Sequence, residues 1–233
     1  MDIKWKEPSE LEEIALSIIR AHQPSALCDP EEIDILNLIN LACNKFGYAY
    51  ATLPLPQYGN KKALGCVDNK NKKLLLDVDM LSQAHKSNVW LFVAAHELGH
   101  LVLHRKYFEK EKTPYDSSEI EGELPVNKRL EWQANRFASE LLLPRTMVQK
   151  VVNAVCLKKG ITNNFGKIYL DGKSYNYDTL NYTCGAIKSC FSVSKTVAQI
   201  RLKELNLIID ERQRKSFFSD GTFDFQSEDQ DSY

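Results

Sequence analysis

The chain has 233 residues, 43% hydrophobic and 26% charged, with a formal net charge of −1. Such a length and composition suit one globular domain with a small appendage, which buries its core without disulfide staples. The near-zero charge excludes a whole-protein attraction to nucleic acid or membrane. No apolar run approaches the roughly 20 residues that span a bilayer.

The opening Met1–Pro8 has no apolar core or small-residue cleavage site of the secretory kind. Cys28, Cys43, Cys66, Cys156, Cys184 and Cys190 form no C-x-x-C pair and read as free, mostly buried thiols of a cytoplasmic protein. Ser9-Glu-Leu-Glu12 has the form of a capping box, and a helix follows to His22. Asp29-Pro30-Glu31-Glu32 reads as a second helix start, with Asp29 as N-cap. Ile35, Leu38, Ile39, Ala42 and Phe46 form its apolar stripe, and Gly47 closes it. Three strand-like pieces follow, at 48–53, 63–67 and 73–78, separated by turn-rich segments.

Helical patterning resumes over 88–105. Residues 106–126 read as a polar loop, and a helix over 127–143 is stopped by Pro144. Residues 168–175 read as a hairpin turning at Asp171-Gly172. Two further helices are expected near 178–190 and 194–206, and an acidic tail near 220–233 reads as disordered. This implies an α+β fold, mostly helical with one small sheet. The expected organisation is an N-terminal helical extension over 1–28, a main domain over 29–210 and a tail over 211–233.

The helix over 88–105 carries His96-Glu-Leu-Gly-His100. Positions i and i+4 of a helix share a face about 6 Å apart along the axis, so both imidazoles can converge on one metal, and neutral nitrogen donors suit Zn²⁺. Glu97 is placed to serve a water molecule rather than the metal, as general base and then as proton donor to a leaving amine. Trp90, Leu91, Val93, Ala94, Leu98, Leu101 and Val102 make this helix apolar nearly all round, so its polar residues must be paired or metal-bound. Gly99 reads either as room for another element beside the site or as a tight helix crossing.

A hydrolytic zinc site needs a third protein ligand and an open position. His104 lies about 12 Å from His96 on a straight helix, too far to share the metal, and reads as a supporting or surface residue. Glu131 is the better donor, with Glu140 the competing carboxylate. Asn135, at i+4 from Glu131, can orient a metal-bound histidine. Trp132, Phe137, Leu141 and Leu142 would anchor this helix on the core.

His96-Glu-Leu-Gly-His-Leu-Val-Leu-His104, Glu131-x-x-Ala-Asn-Arg-Phe-Ala-x-x-Leu-Leu-Leu-Pro144 and the segment 191–205 together resemble the ImmA/IrrE family of metallopeptidases over roughly residues 30–210. The resemblance implies a zincin-like α+β domain and a glutamate as third ligand on the second helix. It also implies action on a helix-turn-helix transcriptional repressor, in phage-like or other mobile elements or stress circuits. Gln133 stands where the family often has a second acidic residue. The stretch from about Lys158 to Cys184 is longer than a minimal member needs, and its Tyr169, Tyr175 and Tyr177 could pack, contact substrate or stabilise an oxyanion. A second functional reading is a DNA- or protein-binding regulator with a structural metal, using the C-terminal helices with Lys188, Lys195, Arg201 and Lys203 as its mild positive bias. Its alternative is a core-packing helix that buries Val197, Ile200, Leu202 and Leu205.

Overall fold

The computed structural model describes residues 4–58, 61–83, 88–111 and 125–212. The acidic tail and most of the expected polar loop lie outside them.

Helix α1 (Pro8–His22) begins two residues earlier than the Ser9–Glu12 box implies, because Pro8 takes the first helical position and Glu10 accepts from the Glu7 N–H at 2.9 Å. Its stripe of Leu11, Ala15 and Ile19 is fully buried, mostly against α6 (Pro125–Leu142). Helix α2 (Ile35–Phe46) does not start at Asp29. Glu31 is engaged by Gln23 and Ser25, and Gln23 also bonds the Glu32 carbonyl and the Asp34 N–H, which holds residues 31–34 out of the helix. Asp34 is the N-cap, accepting from the Asn37 N–H at 3.1 Å. Gly47 ends α2 in the left-handed conformation, at φ 70°, where a side chain would be strained.

The main sheet has the order β1 (Ala49–Leu53), β5 (Lys73–Asp77), β4 (Gly65–Asp68), with β1 parallel and β4 antiparallel to β5. Strands β2 (Gln57–Tyr58) and β3 (Lys61–Lys62) form a short antiparallel ladder. Leu74 and Leu76 of β5 enter the core, and Asp77 ends the strand at its buried end. Asp77 accepts from the Leu55 N–H at 3.0 Å and the Met80 N–H at 2.9 Å, and pairs with Lys62 at 3.0 Å. It therefore joins the loop at Leu55 and strand β3 to the N-terminus of α3 (Val78–Ser82).

Helix α4 (Val89–Gly99) runs into a π-helical turn, His100–His104, and then α5 (Arg105–Glu111), so the first part of the expected polar loop is helical. Helix α6 buries Leu130, Ala134, Phe137, Ala138 and Leu141 on one stripe. Trp132 does not join that stripe. It is 37% exposed and stacks on Trp5 at 4.6 Å.

Helix α7 (Arg145–Lys158) follows Pro144 directly, an element the sequence reading does not assign. Its buried Met147, Val148, Val151, Val152 and Val155 have helical spacing, but valine is a poor helix former, and packing overrides that preference. The hairpin expected at 168–175 is absent. Strand β6 (Ile168–Leu170) pairs in parallel with β7 (Ile208–Asp210), and helix α8 (Ser174–Phe191) starts where the return strand was expected. Asp171 accepts from the Lys173 N–H and the Asn176 amide, which turns the chain into α8 rather than into a two-residue hairpin loop. Helix α9 (Lys195–Glu204) is capped by Ser194 as expected. It buries Ala198 and Leu202, and Leu205 is buried just beyond it, whereas Ile200 is 51% exposed. The architecture is α+β, mostly helical, with the three-stranded sheet as its largest. All six cysteines are free, and only Cys28 is exposed.

Asp77→Ala is expected to lower the unfolding free energy by about 1–3 kcal/mol in urea titrations, because it removes a helix cap and leaves buried donors unpaired. Burial opposes ionisation of Asp77, but its backbone donors and Lys62 outweigh that and hold its pKa below the ordinary value. Its contribution should therefore be fully present above about pH 4 and be lost as the pH falls through its folded-state pKa.

Candidate metal centre

The centre forms where α4 and its π-helical extension cross α6. A Cβ on Gly99 would lie 3.0 Å from a Phe137 ring carbon and 3.3 Å from both the Cα and the carbonyl oxygen of Ala134. Gly99 therefore sits in a tight crossing, which also brings Glu131 and Asn135 to the histidines of α4.

His96 Nε2 lies 2.9 Å from His100 Nε2. The Glu131 carboxylate reaches both, Oε2 to His96 Nε2 at 3.2 Å and Oε1 to His100 Nε2 at 3.3 Å. One donor atom from each of the three residues lies within 4.8 Å of the others. Zinc bonds of about 2.0–2.2 Å at tetrahedral angles separate neighbouring donors by roughly 3.3–3.5 Å, so the spacing and chemistry of this set fit zinc. His100 is fully buried, whereas the Glu131 side chain is 39% exposed, so the set opens to solvent on the Glu131 side.

The outer ring nitrogens are engaged as well. His96 Nδ1 is 3.0 Å from Asn135 Oδ1, an acceptor, so Nδ1 carries a proton and Nε2 faces Glu131 and His100. His100 Nδ1 is 3.2 Å from His104 Nδ1, and His104 Nε2 is 3.3 Å from Gln133 Oε1. The π-helical turn sets the fourth residue onward almost directly above the first, so His104 lies behind His100, its ring tilted by 59°, and does not join the donor set. His104 is thus a buried supporting residue rather than a surface one.

Glu97 is 3% exposed and turns toward β4. A Cβ on Gly65 would lie 2.6 Å from Glu97 Cγ and 2.9 Å from its Oε1, so the glycine makes room for this carboxylate. Gly65 has no local sequence signal for that role, being on a strand 32 positions upstream.

Burial disfavours charge on His96, but its hydrogen bond to Glu131 and the charges of Glu97 and Glu131 outweigh this and raise its pKa. His100 is lowered, first by burial. His104 is lowered to about 3 by burial and by His100 beside it, so it is neutral near pH 7. Glu131 is lowered: burial opposes its ionisation, and the hydrogen bonds from His100 and His96 overcome that.

The other residues singled out from the sequence lie elsewhere. Glu140, the competing carboxylate, is buried and paired with Arg201 and, at 2.7 Å, with Arg136. Arg201 is fully buried, with Nε on the Leu143 carbonyl and a further contact to Glu204. It is therefore withdrawn from any nucleic-acid surface, which removes a main cation from the regulator reading. The Tyr177 hydroxyl accepts from Arg212, while Tyr169 and Tyr175 line a cavity with residues 159–164; the centre's donors are not among that cavity's lining residues.

The described residues form a mostly helical α+β domain in which two histidines of one helix and a glutamate of a second converge. Residues 68–154 match the family model described as the IrrE N-terminal-like domain, Peptidase_M78, so this segment is similar to a peptidase domain of that family. The match contains His96, Glu97, His100 and Glu131 and is shorter than the 30–210 span over which the motifs resemble the family. No curated protein matches the chain.

Arg201→Met is expected to destabilise the fold by about 3–5 kcal/mol, because it breaks a buried ion pair. Exposed Lys203→Ala should change stability by less than about 0.5 kcal/mol. Urea unfolding of both variants tests the structural role of Arg201.

Proposed function

We propose that this peptidase is a zinc-dependent endopeptidase with His96, His100 and Glu131 as metal ligands and Glu97 as general base. Its proposed substrate is a helix-turn-helix transcriptional repressor in the cytoplasm. The observation that carries the reading is the convergence of the three donors, with the outer nitrogen of His96 already held by Asn135. The substrate class comes from the family resemblance.

When bound there, zinc supplies a Lewis acid that polarises the scissile carbonyl and makes water acidic enough to ionise near neutral pH. His96 and His100 present neutral nitrogen lone pairs, and Glu131 adds one negative charge, leaving a net positive site suited to a polarised carbonyl oxygen. Glu97, next to His96 and pressed into the space left by Gly65, takes the proton of the attacking water. It then returns that proton to the departing amine as the C–N bond breaks. Its burial limits competing solvation and keeps the carboxylate in one orientation. Among the described residues no helix is long and apolar enough to cross a membrane.

The test combines metal analysis with gel assays on a helix-turn-helix repressor encoded beside the gene. Glu97→Gln should retain zinc and lose cleavage by about 10²-fold or more. His96→Ala should lose the zinc itself. Gly65→Ala should retain zinc and slow cleavage about tenfold or more, because its methyl displaces the Glu97 carboxylate. Wild-type cleavage by Glu97→Gln would refute the general-base assignment, and undiminished zinc in His96→Ala would refute the ligand assignment.

A further inference from the structure

Helices α1 and α2 and the back of the helix that carries the histidines enclose a cleft of about 480 Å³. Ile14 and Ile18 of α1 and Leu41 of α2 line its sides. Leu38 of α2 and Leu98 of α4, both almost fully buried, lie at its base, with Val102 of the π-helical turn beside them. Leu98 follows His96 by two residues and Val102 follows His100 by two, about 200° round an α-helix, so both face away from the donor set. The cleft and the metal centre share no residue.

The lining suits an apolar occupant. The Ser17 hydroxyl is already engaged by the Ile14 carbonyl at 2.7 Å, which leaves Lys45 and His22 as the other polar lining residues. Among the described residues no carboxylate lines the cleft, and Lys45 has no acidic partner. The Lys45 ammonium lies 5.8 Å from the ring centre of Phe46, which also lines the cleft, and the Arg105 guanidinium lies 3.9 Å from the same ring. Two cations thus gather at one ring of an acid-free apolar cleft, where an anion offsets their mutual repulsion.

Size and backbone chemistry narrow the class. The volume lies within the roughly 300–1,000 Å³ of small-molecule sites. A helix about 10–12 Å across would fill it in roughly one turn, too short to seat anchors at i, i+4 and i+7. An extended peptide would bring main-chain N–H and C=O groups against walls that offer them no partner. A saturated hydrocarbon chain carries no such groups, and a carboxylate at its end meets Lys45. We infer that this cleft is a binding site for a medium-chain carboxylate, with the alkyl chain against Leu38 and Leu98 and the head group at Lys45. The site does not depend on the zinc reading. Its occupant nevertheless bears on the helix of His96 and His100, from the side opposite the donors.

Decanoate, decanol and decylammonium share one alkyl chain and differ in charge, so titrating each into the full-length protein tests the site. Calorimetry should show saturable one-to-one binding of decanoate, with decanol about three- to tenfold weaker and decylammonium weaker still. Intermolecular NOEs should connect the decanoate methylenes to the methyl groups of Ile14, Ile18, Leu38 and Leu41. Lys45→Met should bring decanoate down to the affinity of decanol and leave decanol binding and zinc content unchanged. Ala42→Phe, which places a ring in the cleft, should abolish binding of both. If Ala42→Phe does not fold, the NOEs and the exposed Lys45→Met change decide. The proposal is overturned by no saturable decanoate binding at millimolar concentration, by equal affinity for the three probes, by NOEs to another surface, or by wild-type decanoate affinity in Lys45→Met. A dimer in sedimentation that Ala42→Phe dissociates would assign the cleft to a second copy and overturn it as well. Binding is read without metal or substrate, so failure of the peptidase reading is a separate result.

Discussion

The close crossing of α4 and α6 at Gly99 and Ala134 is the contact on which the rest of the molecule depends. Two helices with ordinary side chains at the crossing keep their axes about 8–10 Å apart. Here one partner contributes no side chain and the other a methyl group, and the glycine lies against the Ala134 backbone itself. That proximity lets a glutamate of α6 reach two histidines of α4, and an asparagine one turn later reach the outer edge of one of them. The cost of glycine inside a helix, about 1 kcal/mol relative to alanine, is offset by the geometry it permits.

Around this crossing, buried polar groups are arranged so that each has a partner of opposite character. His96 is held between Glu131 and Asn135, His100 between Glu131 and His104, and His104 in turn by Gln133. Farther from the centre the same logic recurs in a structural role. Glu140 and Arg201, each almost fully buried, join α6 to α9, with Arg136 and Glu204 at their margins. Two neighbouring stretches of one helix thus serve different ends. Its first half carries the carboxylate that meets the two histidines, and its end carries an ion pair that secures the C-terminal helices.

The motif around His96 was legible because its information is local. A helix repeats its faces every 3.6 residues, so two histidines four apart must share one, whatever the rest of the chain does. The α6 stripe apart from Trp132, the stop at Pro144 and the glycine end of α2 were legible on the same ground. Other elements were not. Asp171-Gly172 has the composition of a tight hairpin, yet Asp171 uses its carboxylate to start α8, and β6 finds its partner in β7, 40 residues later. The start of α2 moved from Asp29 to Asp34 because Gln23, eight or more residues upstream, claims the intervening groups. In each case a distant partner outcompeted a sound local preference.

The sequence by itself determined which groups are on offer: two imidazoles on one helix face, a carboxylate beside the first, and a second helix offering Glu131 and Asn135 at matching spacing. Those facts follow from helical periodicity and from the donor properties of the side chains, which need no tertiary contact. Only the tertiary structure decided between Glu131 and Glu140, because the choice depends on which carboxylate meets the histidines and which meets Arg201. It likewise assigned His104 to the shell behind His100, gave Glu97 its space beside Gly65, and brought Lys4 and Trp5 to α6. These are contacts between segments far apart in the chain, set by packing, for which periodicity holds no information.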